Sequence, residues 1–406
     1  MTRIGCSPAG AFAAAPLGRD GLAEAIGHLR EALEPDLAVT GDVPAFDTAA
    51  AHRLYAQLLQ PVAPGWGTAR HLLVVPHGAL AQLPLTVLPT EAVAATVAAT
   101  DGVPFSQYRK VPWLARQAAV TQLPTVAALA SLRALPPGRP NRKPFVGFGD
   151  PWFSKEQASA PSGPLTTRGG VGGALAKRAS PRKAGDYTAD LAQLPRLPDT
   201  AQEVSAIATT LRAEPARDVY LGSKASESAV GRANLADYRV VMFATHGLIP
   251  GDLAGLTQPA LALSAPAVTG EPGDGLLTVE NILALKLDAD WVVLSACNTA
   301  AAQGAGAEAV SGLGRAFFYA GTRALLVSNW PVETTSARTI TSDLFRRQAE
   351  TPTLARAEAL QQAMLALIDG PGYVDASGNP VFSYAHPIFW APFSLVGDGG
   401  TPAARR

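Results

Sequence analysis

The sequence predicts a mostly parallel α/β sheet with helices on both faces. Three observations carry that expectation. Trp291 to Ala296 is an unbroken apolar run rich in β-branched residues, the mark of a strand buried on both faces of a parallel sheet. Tyr238 to Thr245 is a second such run, and it ends at His246-Gly247 as the first ends at Cys297. Beyond residue 199, strand-like and helix-like stretches alternate, the pattern of βαβ units. A strand that delivers a reactive side chain to its C-terminal end and then turns through small residues builds a crevice of the kind where open α/β sheets bind ligands.

In chain order, Leu22, Ile26, Leu29 and Leu33 are spaced for a helix over 20–34, stopped by Pro35. Asp47 is a suitable N-cap for a second helix over 47–60. His71 to Pro76 reads as a strand, His77-Gly78 as a turn, and Leu80 to Leu88 as a further apolar segment; 90–103 says little. A strand is expected over 117–123 and a helix over 125–135. Pro136-Pro-Gly-Arg-Pro140 then marks a linker. Phe145 to Pro151 opens a fresh α/β unit with its own first strand. These breaks suggest an N-terminal helical lead (1–45), an N-terminal α/β half (46–140) and a second half (141–406) against which the first packs.

Residues 154–190 are rich in Ser, Gly, Ala and Pro, with Arg168, Lys177-Arg178 and Arg182-Lys183 among few large apolar groups. Two readings stand for so long a loop, a solvated insert or a processing and gating segment. After it come a helix over 199–211, a strand over 218–221, a helix over 225–235 and the His246 strand. Pro259 to Ser264 is a strand or loop arm, and 278–285 a short helix. The cysteine strand is followed by a helix over 308–320, a strand over 323–328, two helices within 335–368 and a closing strand over 389–397.

Hydrophobic content of 48% against 16% charged residues describes a globular chain. Lys+Arg and Asp+Glu both number 33, so there is no general electrostatic case for nucleic acid or an anionic membrane as partner. Two cysteines, Cys6 and Cys297, are too few for a disulfide framework and point to a reducing compartment, the cytoplasm. No apolar run has transmembrane length, and the N-terminal residues lack the apolar stretch of a secretory signal.

A thiolate is a strong nucleophile, but a free cysteine is mostly protonated at neutral pH. An imidazole beside it can take the proton and later deliver it to a leaving amine. His246 and Cys297 therefore read together as a dyad, with backbone N–H groups at Gly247 and Cys297 as oxyanion donors. Taken singly, each has a plainer reading, as a buried core cysteine and a hydrogen-bonded structural histidine. Gly304-Ala-Gly-Ala-Glu-Ala309 imitates a dinucleotide fingerprint but starts too far past its strand and lacks the acidic residue downstream. No Gly-x-Ser-x-Gly elbow or P-loop occurs. The remaining histidines have no metal-ligand spacing, so neither a metal nor another cofactor is expected.

Met242-Phe-Ala-Thr-His-Gly247 and Val292-Val-Leu-Ser-Ala-Cys-Asn-Thr299 resemble the two signature blocks of CHAT domains, caspase-like modules of the caspase and separase clan. Further blocks extend the resemblance in order from about 46 to 398. They are Val75 to Leu80 with Leu83-Pro-Leu85, Gly147 to Pro151, Leu197 to Val204, Asp274 to Thr278, Ser328 to Val332 and Trp390 to Phe393. The resemblance implies a caspase-like fold and a cysteine endopeptidase, with His246 as general base and acid and Cys297 as nucleophile. It also implies a protein substrate, encoded nearby, and activation by a sensor partner or by processing. The tetratricopeptide repeats usual in the family are missing, so recognition is expected to come from elsewhere. Trp330 is a candidate for lining a substrate pocket, or for plain packing. Glu333 stands close to a common family acid. Asp150 could select a basic substrate residue, or serve as an ordinary turn residue before proline. A catalytically silent scaffold or signalling module, and a hydrolase of small esters or amides, are the rival functions.

Overall fold

The computed structural model describes residues 10–35, 43–93, 102–159, 190–295, 305–375 and 377–400. In chain order the strands are β1 (His71–Val74), β2 (Ala119–Gln122), β3 (Lys143–Gly149), β4 (Val219–Leu221) and β5 (Tyr238–Ala244). Then come β6 (Gly247–Leu248), β7 (Ala260–Ala262), β8 (Leu276–Thr278), β9 (Trp291–Leu294), β10 (Ala324–Ser328), β11 (Tyr373–Val374), β12 (Pro380–Phe382) and β13 (Phe393–Gly397). Eight of them form one sheet in the order β1-β2-β13-β10-β9-β5-β3-β4. All its pairings are parallel except β10 with β13.

The longer helices are α1 (Arg19–Glu31), α2 (Thr48–Leu58), α3 (Val126–Ala134), α4 (Pro198–Thr210), α5 (Glu227–Arg232), α6 (Val279–Ala284), α7 (Ala305–Ala320), α8 (Thr334–Glu350) and α9 (Arg356–Asp369). Period-two alternation along the strands builds a core on each face of the sheet. Phe145, Val240, Met242, Trp291, Val293 and Leu326 share one core with Ile207 of α4, Leu344 of α8 and Leu360 of α9. Val146, Phe148, Val241, Phe243, Val292 and Leu294 share the other with Val230 of α5, Ile282 of α6 and Phe317 of α7. Helices thus cover both faces of the central strands, whose side chains there are almost all buried and apolar.

Two glycines set how closely α4 lies on the sheet. A Cβ at Gly147 would fall 2.6 Å from the Val204 side chain, and one at Gly149 2.9 Å from it. The absence of side chains there lets the helix come down onto β3.

The N-terminal α/β half packs against the rest edge to edge, since β2 pairs with β13 through Gln122 and Val396. Aromatic rings seal the join, with Trp113 5.5 Å from Trp390 and Phe46 6.3 Å from His386.

Several elements depart from the sequence expectation. Leu80–Leu88, expected as an apolar segment without an assigned element, is mostly 3₁₀ turns, Gly78–Gln82 and Leu85–Val87. The closing strand starts at Phe393, because Pro387–Trp390 is a single helical turn. His386 caps that turn by accepting from the Ile388 N–H, and proline at the first helical position suits it. Ala260–Ala262 is a strand, in a three-stranded antiparallel sheet of β6, β7 and β8. Within the expected loop 154–190, Lys155–Ser159 is helical, and the stretch 160–189 with its basic residues lies outside the described residues. Cys6 and Cys297 also lie outside them.

Phe243 is fully buried, with its ring 5.3 Å from Phe148 and 5.8 Å from Phe317. Phe243→Ala is expected to cost about 3–5 kcal/mol in a denaturant titration. Leu73→Ala, at an exposed position on β1, should stay within about 0.5 kcal/mol of the parent in the same titration.

Candidate active site

His246 stands two residues past β5, at the C-terminal rim of the central sheet, and is fully buried. Its backbone is fixed by the small sheet, since its carbonyl accepts from the Ala262 N–H at 2.9 Å. The Thr245 hydroxyl donates to the Ala262 carbonyl at 2.5 Å. The ring lies against Phe153, with centroids 5.6 Å apart. Its Nε2 is 2.7 Å from the carbonyl oxygen of Pro195. A carbonyl only accepts, so Nε2 carries the hydrogen and Nδ1 holds the lone pair of the neutral ring.

Pro195 is held in turn by its neighbours. Arg196 donates through Nε and Nη2 to the two oxygens of Asp150, at 2.9 and 2.7 Å, and its guanidinium lies 5.4 Å over the Trp152 ring. Asp150 follows β3 with φ of 48°, a left-handed conformation that aspartate tolerates better than most residues. Its N–H donates to the Thr200 hydroxyl at 2.7 Å, which donates on to the Leu197 carbonyl at 2.8 Å. Burial pushes the Asp150 carboxyl above the usual range even with Arg196 on both oxygens. Desolvation therefore outweighs the attraction, and the pair serves to position the Pro195 segment more than to stabilise the fold.

The neighbouring strand β9 runs parallel to β5, with Phe243 opposite Leu294. Ser295, next in the chain, donates its N–H to the Phe243 carbonyl at 3.0 Å. Its hydroxyl donates to the Glu203 carboxylate, 3.0 and 3.1 Å from the two oxygens. Glu203 is fully buried on α4 and also accepts from the Thr341 hydroxyl of α8 at 3.2 Å. These bonds fix the end of β9 two residues before Cys297, which itself lies outside the described residues.

The other nominated residues take different places. Asp150 meets Arg196 of its own chain, where the sequence suggested a basic residue of a substrate. Trp330 is fully buried and donates its Nε1–H to the Ile388 carbonyl at 3.1 Å, a packing position rather than a pocket wall. Glu333 caps α8, accepting from the N–H groups of Thr335 and Ser336 at 3.0 and 2.7 Å. Burial lifts its carboxyl above the usual range. Gly247 pairs with Leu261 in the small sheet, directly after His246.

Sequence reasoning missed Pro195 and Arg196 altogether, because a backbone carbonyl leaves no residue signature. Glu203 carried a signal that went unread. It lies on the buried stripe of α4 with Thr200, Val204 and Ile207, and a carboxylate there must meet a donor. Among the described residues no group of three or more His, Cys, Asp or Glu could hold a metal. No described helix is long and apolar enough to cross a membrane.

Compared with known families, the chain matches the model described as CHAT domain over residues 48–398. A comparison with curated proteins finds no match. Among solved structures, the chain is similar to the Arg-specific cysteine proteinase gingipain R (RGPB), at 9% identity and a TM-score of 0.42. The match covers 94% of this chain and 74% of that one.

Arg196→Met leaves Asp150 buried without its counter-ion, and stability should fall by about 3–5 kcal/mol in a denaturant titration. Asp150→Asn added to Arg196→Met removes the stranded charge and should recover part of the loss. No recovery would show that the pair does not act as a unit.

Proposed function

The chain belongs to the CHAT domain family, and from that premise we propose that it is a cysteine endopeptidase with His246 as general base and acid and Cys297 as nucleophile. The observation that supports this best is the strand register. β5 and β9 are adjacent and parallel with Phe243 opposite Leu294, and His246 and Cys297 each follow three residues beyond that pair. Parallel strands of matched register deliver equivalent residues to one rim of a sheet, where such folds bind ligands.

In this reading Nδ1 of His246 takes the thiol proton, and the thiolate sulfur attacks the scissile carbonyl carbon. The Nε2–H bond to Pro195 keeps the lone pair on Nδ1 and favours the imidazolium that forms. The imidazolium gives its proton to the leaving amine as the C–N bond breaks, leaving an acyl-enzyme. Water, deprotonated by the same ring, then releases the acid and restores the thiol. Backbone N–H groups of Gly247 and Cys297 are the proposed donors to the oxyanion. The proposed substrate is a protein, and a partner or processing event is the proposed trigger.

Cys297→Ala is expected to lower cleavage of a co-encoded protein by at least about a thousandfold while leaving the fold unchanged. Undiminished cleavage would remove Cys297 from the mechanism. Labelling with iodoacetamide tests the base separately. At pH 7, His246→Ala should slow alkylation of Cys297 by about tenfold or more, and by much less at pH 9, where the free thiol ionises unaided. Equal rates at both pH values would rule out His246 as the base.

A further inference from the structure

At the opposite rim of the sheet, a cavity of about 530 Å³ opens where β3, β5 and β9 begin. Seven residues of β5 separate the two rims, roughly 20 Å along the strand. The cavity has the volume of a small-molecule site. The C-terminal ends of α4 and α8 and the first residue of α9 wall it.

Four arginines line it, Arg212, Arg239, Arg346 and Arg356, against two acids, Asp290 and Glu350. The acids are already engaged. Asp290 pairs with Arg142 and Arg239, each at 3.1 Å, and lies 3.9 Å from Arg356. Glu350 pairs with Arg346.

Arg356 is 1% exposed. Its Nη1 reaches the Asp398 and Gly400 carbonyls at 3.2 and 3.4 Å and lies 3.8 Å from the Asp398 carboxylate, while its buried Nε has no hydrogen-bond partner among the described residues. Buried donors of this kind are ordinarily satisfied.

Arg212 supplies an independent observation. Its side chain makes no hydrogen bond or ion pair among the described residues, and its φ is 56°, just past the end of α4. Glycine is the usual residue at such a position. Arg212 is not a cap for the helix carbonyls, which are met by backbone. The N–H groups of Leu211, Arg212 and Ala213 donate to the carbonyls of Ile207, Thr209 and Ala208.

We propose that this cavity is a binding site for a small anionic ligand bearing phosphate or carboxylate, held by Arg212, Arg239 and Arg356. Guanidinium groups suit both anions because their planar fork donates two parallel hydrogen bonds. Leu211, Pro352 and the edge of Phe345 offer apolar surface for the body of the ligand. The site is distant from His246, and binding there does not depend on the peptidase reading. Its walls are nonetheless the far ends of the two helices that carry Glu203 and Thr341.

Calorimetric titration of the full chain with pyrophosphate, AMP and citrate tests the site and separates phosphate from carboxylate recognition. At least one probe should bind with Kd below about 1 mM, and Arg212→Gly should weaken it about tenfold or more. Glycine suits the left-handed backbone at 212, so this variant should melt no lower than the parent, which separates lost binding from lost folding. Arg239→Gln should weaken the same probe, whereas Arg232→Gln, outside the cavity, should not. No heat from any of the three probes, or equal affinity in Arg212→Gly, would overturn the proposal.

Discussion

A single hydrogen bond, from Nε2–H of a fully buried imidazole to the carbonyl of Pro195, constrains the whole rim of this sheet. In water an imidazole exchanges freely between tautomers, but away from water it takes the form its neighbours can satisfy. Here the neighbour is a carbonyl, so the basic lone pair belongs to Nδ1. That outcome requires Pro195 to stay within hydrogen-bonding distance, and much of the surrounding polar structure keeps it there. Asp150 at the end of β3 grips Arg196, Arg196 stacks over Trp152, and Thr200 ties Asp150 to the start of α4.

The same helix then reaches the next strand. Through Glu203 it holds Ser295 just past β9 and meets Thr341 of α8, while Asp199 accepts from Thr334 at the start of α8. Buried carboxylates are costly components, and replacing such networks with hydrocarbon often leaves a fold as stable or more so. Their value lies in direction. Apolar packing tolerates small slides, whereas a hydrogen bond of about 3 Å holds its partners to a narrow range of distance and angle. The ends of β3 and β9 are thus tied to α4 by polar bonds, and His246 past β5 bonds to Pro195 just ahead of that helix. The glycines of β3 make the arrangement feasible by letting α4 approach closely.

The legible part of the fold was that governed by local pattern. The unbroken apolar runs became β5 and β9, the spacing of Leu22, Ile26, Leu29 and Leu33 became α1, which ends three residues early at Glu31, and the helix expected over 199–211 became α4. Asp47 caps its helix as its side chain predicts, accepting from the Ala50 N–H at 2.8 Å. The weaker readings fell where tertiary partners decide. Leu80 to Leu88 was legible only as apolar, and it winds into 3₁₀ turns. Trp330, Glu333 and Asp150 carried the chemistry of a substrate site, and each found its partner inside the chain instead. Trp330 bonds a carbonyl, Glu333 a helix terminus and Asp150 an arginine.

The sequence by itself determined the fold class and the family, and it nominated His246 and Cys297 as the pair to test. Burial on both faces of a parallel strand imposes a composition, and family membership is written in residue order. Only the tertiary structure decided which nitrogen of His246 is basic, which acids are already engaged and where arginines outnumber acids around one cavity. Those depend on main-chain carbonyls and on residues distant in the chain, such as Ser295 and Glu203 or Arg212 and Arg356. A backbone carbonyl is the same atom in every residue, so its role appears only when folding gives it a neighbour.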